Sequence, residues 1–420
     1  PEELITPEVT TRDIDRGSYQ HFLLKEIEEA PGSFRKTLRG KIGGADGSLR
    51  AIVGDDTLPA AVRDDLRSGR ITRVKVIGQG TAAVAGQSLG RALAAELAAT
   101  EVRVEALPAT ELSGFSLLPD MSDTLVIAIS QSGTTTDTNR TVDLVRARGG
   151  KVIAIVNRRS SDLTDKSDGV LYTSDGRDAE MSVASTKAFY AQIAAGFLLA
   201  MAIAQEVPGT DDRAGARSEI LAGVRDLPTA MEETLARRPA IAEAAQELAP
   251  SRRYWAIVGS GANRVAAEEI RIKLSELCYK AIASDAIEDK KHIDLSSEPL
   301  ILVCAAGLIG SNADDVAKEV AIYRAHKATP IVVATEDEDR FSAALRVLTV
   351  PTVHPGLAFV LTTVVGHLFG YEAALAIDAQ ARGLREARGA IEDGISSPAV
   401  ADVDRLLNDL RPQLEPISAR

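Results

Sequence analysis

Short apolar runs followed by amphipathic or alanine-rich stretches recur along the chain and predict strands that alternate with helices. Residues 73–80 predict a buried strand that ends in a Gly-x-Gly turn, and residues 82–99 have a helical pattern. Further apolar runs predict strands at 124–130 and 151–156. Because parallel strands need crossover connections, this alternation predicts an α/β fold with helices on both faces of a parallel sheet.

The same pattern returns in the second half of the chain. Residues 253–261 again form an apolar run with a Gly-x-Gly turn, and a helical stretch follows from 264 to 280. Later apolar runs predict strands at 300–306 and 330–334. An internal repeat of this kind fixes the architecture before any single motif does. The sequence therefore predicts two doubly wound parallel-sheet lobes, each with three α/β/α layers, related by the repeat.

The segments outside the repeats carry no complete domain of their own. Residues 206–250 have two helical patterns, at 218–227 and 241–248, after the helix stop Pro208-Gly209. The predicted organisation is an N-terminal segment (1–40), a first lobe (41–205), inter-lobe helices (206–250), a second lobe (251–390) and a C-terminal tail (391–420).

Composition and charge argue against several classes of function. The 420 residues are 45% hydrophobic and carry a formal net charge of −12, which does not favour nucleic-acid binding. No apolar run approaches the roughly 20 residues of a membrane span, and the start of the chain lacks the pattern of a secretory signal. The two cysteines, Cys278 and Cys304, fit a reducing cytoplasm. The histidines are scattered without zinc spacing, so no metal is expected.

The most informative local stretch is residues 130–138, where a predicted strand ends and a helix begins. The run Ser-Gln-Ser-Gly-Thr-Thr-Thr-Asp-Thr concentrates hydroxyl and amide donors around one glycine. In a parallel sheet this position is the carboxyl edge, where ligands bind, and a helix N-terminus favours an anion. The density of donors favours a phosphate site over the alternative, an ordinary Ser/Thr helix cap.

The two Gly-x-Gly turns do not predict a dinucleotide site. Ala83 and Arg264 stand where the third glycine of a G-x-G-x-x-G fingerprint would be. The glycines are explained by tight turns and by close approach of a helix to a strand. No cofactor is expected.

At this point the chain resembles a known family, the sugar isomerase (SIS) domains, and within it the isomerase portion of glutamine:fructose-6-phosphate aminotransferase. The similarity extends from about Asp13 to Ala379. Its landmarks are Gly17-Ser-Tyr-Gln-His-Phe-Leu-Leu-Lys-Glu-Ile27, Ser130-Gln-Ser-Gly133, Val183-Ala-Ser-Thr-Lys-Ala-Phe189, Lys273-Leu-Ser-Glu276 and Lys291-His292.

The resemblance implies a role for each matching residue. It implies a proton shuttle at Glu276, a helper lysine at Lys273 and a ring-opening histidine at His292. It also implies that this histidine reaches the site from a neighbouring subunit, hence a homodimer with shared active sites. The residues implied to bind the sugar phosphate are Ser130, Gln131, Ser132, Thr135, Val183, Ser185, Gly80 and Thr81.

Elementary chemistry supports these residue types. Moving a proton between adjacent sugar carbons needs a base that also acts as an acid, which a carboxylate partly shielded from water can be. A lysine stabilises the enediol-type charge, and a histidine suits ring opening near neutral pH. Lys273 and Glu276 share one helix face at i and i+3. From spacing alone, the alternative is a solvated helix face. His21, His326, His354 and His367 have no catalytic match and are expected to be structural or on the surface.

Four departures from the family pattern bear on the reaction. The glutaminase half, with its nucleophilic cysteine, has no counterpart in the sequence, so a glutaminase domain or subunit would have to supply ammonia. Ala82 replaces a hydroxyl residue of the first Gly-x-Gly turn, and the loop 288–294 differs around its histidine. The family's tail lysine, which forms an imine with the open ketose, is missing, because no lysine follows Lys327.

The sequence therefore predicts a hexose-6-phosphate ketose/aldose isomerase of the glucosamine-6-phosphate synthase type, which converts fructose 6-phosphate to glucosamine 6-phosphate or glucose 6-phosphate. An amino-sugar-phosphate deaminase or deglycase is a second interpretation, because it would use the same proton shuttle. A non-catalytic sugar-phosphate-sensing SIS module is the third, and it would keep the phosphate turn without needing Glu276 and His292.

Overall fold

Each long apolar run forms a buried central strand of a parallel sheet. The computed structural model describes residues 14–293 and 295–396, together with Asn408 and Arg411. A short antiparallel hairpin comes first, formed by β1 (Ile42–Gly43) and β2 (Arg50–Ala51). The first parallel sheet follows, with the order β4-β3-β5-β6-β7. Its strands are β3 (Arg73–Gly78), β4 (Arg103–Pro108), β5 (Thr124–Ser130), β6 (Lys151–Val156) and β7 (Gly169–Tyr172).

The second sheet repeats the topology of the first. It also has five strands, all parallel, in the order β12-β11-β10-β8-β9. They are β8 (Trp255–Gly259), β9 (Ala283–Asp285), β10 (Leu300–Cys304), β11 (Thr329–Thr335) and β12 (Arg346–Val350). In both sheets the first strand of the repeat lies between the second and third strands, so the prediction of two doubly wound lobes related by an internal repeat is confirmed.

Helices cover both faces of each sheet and connect the two lobes. In chain order they are α1 (Phe22–Leu38), α2 (Ala60–Arg67), α3 (Thr81–Glu96), α4 (Ala109–Glu111), α5 (Thr136–Arg146), α6 (Asp162–Lys166), α7 (Lys187–Ala204), α8 (Ala214–Ala236), α9 (Arg238–Leu248), α10 (Asn263–Cys278), α11 (Ile287–Lys290), α12 (Gly310–Ala325) and α13 (Ala358–Ser396). A π-helical turn spans Leu112–Ser116, and 3-10 turns span Thr173–Gly176, Asp211–Arg213, Leu295–Ser297 and Pro355–Leu357.

Two helices form the centre of the molecule. Every residue of α7 is buried, which explains why its sequence is apolar on all sides rather than amphipathic. This helix and the stretch Pro355–Asp393 are long and apolar enough to cross a membrane, but 94% and 78% of their most apolar windows lie inside the protein. Packing between the lobes accounts for their composition.

Several predicted boundaries shift when the structure is seen. The strand predicted at 300–306 ends at Cys304, and the helix predicted at 82–99 is Thr81–Glu96. In the predicted inter-lobe segment, α8 continues through Pro228 instead of ending at 227. The predicted tail begins inside α13, and its part beyond Ser396 lies outside the described residues except for Asn408 and Arg411. The domain limits stay a prediction.

Candidate active site at the carboxyl edge of the first sheet

The hydroxyl-rich turn after β5 is held in shape by its own side chains. Ser130 Oγ accepts a hydrogen bond from the amide of Gly133 at 3.0 Å and lies 3.2 Å from Thr135 Oγ1. Asn139 Nδ2 donates to the Gly133 carbonyl at 3.0 Å. Gly133 has a φ of +67°, and a Cβ there would lie 2.0 Å from Ser161 Oγ. Only glycine fits this position, because both the backbone conformation and the space exclude a side chain.

Three helices begin around the space above this turn. α3 starts at Thr81 after β3, α5 starts at Thr136 after β5, and α7 starts at Lys187. Each helix N-terminus carries the positive end of a helix dipole. The arrangement favours an anion at the carboxyl edge of the sheet even though the chain as a whole is acidic.

The loop before α7, which carries Val183 and Ser185, is held by two carboxylates, of which Glu26 is buried and Glu180 is partly buried. Glu180 accepts hydrogen bonds from Ser185 Oγ at 2.7 Å and from the amide of Thr186 at 2.6 Å. Burial raises the pKa of Glu180 despite these hydrogen bonds. Glu26, on α1, accepts hydrogen bonds from the backbone amide and the hydroxyl of Ser182. The loop is thereby tied both to itself and to the N-terminal helix, while the Val183 side chain remains exposed.

On the opposite side of the space, α10 contributes a lysine between two carboxylates. Lys273 Nζ lies 3.2 Å from Glu276 Oε2 and 3.7 Å from Glu269 Oε1. Lys273 and Glu269 are buried, whereas the Glu276 side chain is 47% exposed. The Glu276 carboxylate, near the C-terminal end of α10, is therefore about half shielded from water within this chain, and its role stays a prediction.

A buried polar chain continues behind Glu269. His367 Nε2 is 3.5 Å from Glu269 Oε1, and its Nδ1 is 2.9 Å from the hydroxyl of Tyr190. Burial lowers the pKa of His367, although the neighbouring Glu269 acts in the opposite direction. Burial and the Glu269 charge both raise the pKa of Tyr190. Thr81 Oγ1 donates to Glu269 Oε1 at 3.3 Å, which connects this chain to the N-terminus of α3.

These elements enclose a cavity of about 260 Å³. Its described lining includes nine of the residues singled out from the sequence: Thr81, Ser130, Gln131, Ser132, Thr135, Val183, Ser185, Lys273 and Glu276. The structure thus brings the hydroxyl-rich turn after β5, the loop with Val183 and Ser185, and the pair Lys273 and Glu276 into one space, although these segments are far apart in the chain. Ala82, where the family has a hydroxyl, also lines the cavity.

Two predicted residues are not among the described residues that line it. Gly80 precedes α3 with a φ of +54°, and its left-handed backbone turns the chain so that Thr81 meets the cavity. His292 is exposed just after α11 in the second lobe, where its amide donates to the Asp289 carbonyl at 3.0 Å. Its imidazole is not part of the cavity formed by its own chain.

Sequence reasoning missed three residues at or behind the site. Gln192 is buried in α7 and lines the cavity, and its Oε1 has no hydrogen-bond partner within the described structure. A polar amide in an otherwise apolar helix was the available signal. Glu269 lies one helical turn before Lys273 on the same face, which its i, i+4 spacing indicates. Nothing in the sequence relates His367 to these residues.

The donors around the cavity do not form a metal centre. In the part of the chain that the structure describes, no group of three His, Cys, Asp or Glu side chains is placed to hold a metal ion. The cavity lining is instead dominated by hydroxyls, amides and one Lys/Glu pair. Such a lining suits a small polar anion.

Comparison with known proteins gives a class for the first lobe, where residues 70–202 match the family model of the SIS domain. Among curated proteins, the chain is 34% identical over 364 residues to glutamine--fructose-6-phosphate aminotransferase [isomerizing] of Symbiobacterium thermophilum, and 33% identical over 373 residues to that of Streptomyces coelicolor. Each match covers 86% of this chain but only 57% of the relative's length.

Solved structures with a similar fold come from the same kinds of protein. The C-terminal domain of glucosamine-fructose-6-phosphate aminotransferase from Francisella tularensis matches with a TM-score of 0.74 and 21% identity, over 86% of this chain and 97% of that one. A putative phosphosugar isomerase from Silicibacter pomeroyi matches with a TM-score of 0.63 and 22% identity, over 86% of this chain and 98% of that one. The resemblance inferred from the motifs is confirmed.

Proposed function

We propose that this chain is a hexose-6-phosphate ketose/aldose isomerase of the glucosamine-6-phosphate synthase type. The observation that carries the proposal is the shared cavity, in which the hydroxyl-rich turn 130–135 faces the pair Lys273 and Glu276. The names of the curated relatives, which are aminotransferases acting on fructose 6-phosphate, support the substrate class. The chain spans 57% of the length of those relatives.

The phosphate is proposed to lie against the turn after β5. Ser130, Ser132 and Thr135 offer hydroxyls there, and the start of α5 adds backbone amides. Gln131, Gly80 and Thr81 belong to the same binding surface, the last through its hydroxyl at the start of α3. Anchoring the phosphate extends the open-chain sugar across the cavity toward α10.

In this arrangement Glu276 acts as the acid/base. Its carboxylate takes the proton from C1 of the ketose and returns it to C2, while a proton moves from O1 to O2. The negative charge of the enediolate develops within reach of the Lys273 ammonium, which lies 3.2 Å from the Glu276 carboxylate. Buried Glu269, whose Oε1 lies 3.7 Å from the same Nζ, holds the lysine in place.

His292 is proposed to open the sugar ring from a second subunit. The residue is exposed and does not line the cavity of its own chain, which supports a role across a dimer interface. Val183 and Ser185 are proposed to contact the sugar, and the full exposure of Val183 leaves its side chain available for that contact. A homodimer with shared active sites in the cytoplasm, without nucleic acid or membrane, is the proposed working form.

The reaction is tested by incubating the full chain with fructose 6-phosphate, with and without ammonium. Glucose 6-phosphate as the product without ammonium is the expected result and identifies an isomerase. Glucosamine 6-phosphate formed only with ammonium would identify amination, with a glutaminase domain or subunit as the natural ammonia source. Conversion of glucosamine 6-phosphate back to the ketose would favour the deaminase. Tight binding of fructose 6-phosphate without turnover would contradict the proposal and indicate a sugar-phosphate sensor.

A further inference from the structure

A second cavity, of about 270 Å³, lies between the lobes at the carboxyl edge of the second sheet. Its lining includes Ala262, which follows β8, and His354, which follows β12. It also includes side chains from the later turns of α3, which belongs to the first lobe. In the first cavity the two lobes are interchanged: the turns that follow strands of the first sheet lie opposite the later turns of α10, which belongs to the second lobe.

The two cavities occupy corresponding positions in the internal repeat. Gly78 and Gly259 both end a strand, and a Cβ on either would clash with the backbone of the helix that follows it. Counting from these glycines, Ala92 and Ala95 of α3 occupy the positions of Lys273 and Glu276 of α10. Both alanines line the second cavity, so the place of the acid/base pair is taken by methyl groups.

The second cavity also lacks a phosphate turn. Where the first lobe has Ser130-Gln-Ser-Gly, the chain after β10 has Ala305-Ala-Gly-Leu308, which offers no side-chain donor. Its walls are apolar instead, formed by Phe197 and Met201 of α7 and Phe359 of α13. These apolar walls favour a ligand with a hydrocarbon body.

The charged groups at this cavity favour a negative ligand. Arg91 lines it and has no hydrogen-bond or ion-pair partner in the described part of the chain. Glu96 is neutralised, because its two oxygens are bound by Arg213 at 2.9 Å and Arg217 at 3.2 Å. His354 accepts the Gly356 amide at Nδ1, which leaves its Nε2 as a hydrogen donor in the neutral ring. Unpaired positive charge thus lies beside an apolar space.

We propose that the second cavity is a binding site for a small hydrophobic carboxylate. The hydrocarbon body lies against Phe197, Met201 and Phe359, in the space left by Ala92 and Ala95. The carboxylate pairs with Arg91 at the rim. This site is separate from the sugar-phosphate cavity, and the proposal is independent of the reaction there.

The proposal is tested by calorimetric titration of the full chain with sodium octanoate. Octanoate has the required body and charge; 1-octanol has the body alone, and acetate has the charge alone. We expect octanoate to bind at one site per chain, with 1-octanol and acetate each at least about tenfold weaker, because a charge-assisted hydrogen bond or the apolar burial is lost. No octanoate binding, or equal binding of 1-octanol, would overturn the proposal.

Variants locate the site. Arg91→Gln is expected to weaken octanoate binding about tenfold, and Ala95→Trp to abolish it by filling the cavity. Arg103→Gln, an exposed arginine on β4, is the matched control and is expected to bind as the unaltered chain does. Because Arg91 is exposed, its variant keeps the test decisive even if Ala95→Trp disturbs folding. Unchanged affinity in Arg91→Gln would place the octanoate elsewhere and contradict the assignment.

Discussion

Lys273 Nζ lies 3.2 Å from Glu276 Oε2 on one face of α10, and both side chains face the hydroxyl-rich turn of the other lobe across one cavity. The pair is spaced like many ordinary surface ion pairs. What distinguishes this pair is that Lys273 is only 2% exposed and also forms an ion pair with buried Glu269. A buried lysine between two carboxylates is costly to build, which favours a role in chemistry over a solvated helix face.

Replacing Glu276 with glutamine is expected to abolish proton transfer and spare binding. The amide keeps the shape but cannot take up a proton, so kcat for fructose 6-phosphate isomerisation should fall at least about 100-fold. Affinity for fructose 6-phosphate, measured by calorimetry, should change by less than about twofold, because the phosphate turn is untouched. Glu233→Gln, an exposed carboxylate on α8, is the control. Normal turnover in a folded Glu276→Gln chain would remove this residue from the mechanism.

Mixing two inactive variants tests whether His292 acts across subunits. Chains with Glu276→Gln and chains with His292→Ala are each expected to be nearly inactive. If each site takes its histidine from the partner, a mixed dimer contains one intact site, and random reassociation should restore about one quarter of the original activity. A mixture that stays as inactive as its components, although mixed dimers are present, would place the histidine in its own chain's site or outside the mechanism.

Gly133→Ala is expected to deform the phosphate turn. The left-handed backbone at φ +67° and the 2.0 Å approach of a Cβ to Ser161 Oγ both oppose a side chain. The expected loss is about 2 kcal/mol in the free energy of unfolding, measured by urea denaturation, together with loss of fructose 6-phosphate binding. Gly114→Ala is the matched control, because nothing lies within 4 Å of a Cβ there. Equal stability of the two variants would show that the turn tolerates the change.

The buried imidazole of His367 predicts a pH dependence of stability. Burial lowers its pKa below that of an unfolded chain, which is about 6.5. Its contribution is therefore complete above that pH and is lost as pH falls through the window between the two pKa values, because the unfolded chain binds the proton first. Urea midpoints of the unaltered chain should fall as the pH is lowered from about 7.5 to about 5.5.

In His367→Phe, the variant that tests this assignment, the decline should be smaller over the same pH range. Phenylalanine is a suitable replacement, because the first lobe has Phe197 at the position that corresponds to His367. Each of these residues directly follows a glycine, Gly196 in the first lobe and Gly366 in the second. His326→Gln, which changes an exposed histidine at the end of α12, should leave the decline as it is. Identical pH profiles for His367→Phe and the unaltered chain would rule out His367 as the titrating group.

Both cysteines are expected to resist thiol reagents. Burial raises the pKa of Cys278 to about 12, although Lys280 opposes this, and burial also raises the pKa of Cys304. Neither is joined in a disulfide. In the folded chain at about pH 8, an aromatic disulfide reagent should react far more slowly than with the urea-unfolded chain, which should release two thiols. Rapid reaction of either thiol without denaturant would contradict the packing around it.

The sequence predicted the centre of each lobe better than its edges. Strands β5 and β6 were predicted at their observed bounds, because central strands of a parallel sheet are buried on both faces and form uninterrupted apolar runs. The edge strands β4, β7, β9 and β12 were not predicted. They are short or partly exposed, which weakens their apolar patterns; in β4, for example, Arg103 and Glu105 are exposed.

The same division holds for the cavity. The hydroxyl-rich turn could be singled out because its donors are consecutive in the chain, and Lys273 and Glu276 because they match a motif; all of them line the cavity, and their roles stay a prediction. The contact between His367 and Glu269 depends on how α13 crosses α10, a tertiary relationship with no local signature. The exposure of Glu276 likewise follows from where α10 ends, which neither periodicity nor motif spacing specifies.

Helix α10 of the second lobe lines the cavity at the first sheet, and helix α3 of the first lobe lines the cavity at the second sheet. This arrangement has a consequence for any attempt to divide the protein. A fragment ending near residue 250 would retain the anion-binding turn yet lose the acid and the ammonium, and the complementary fragment would carry the acid with nothing to hold a phosphate near it. Each half lacks one wall of its own cavity, so neither half alone would contain all the groups that line the first cavity.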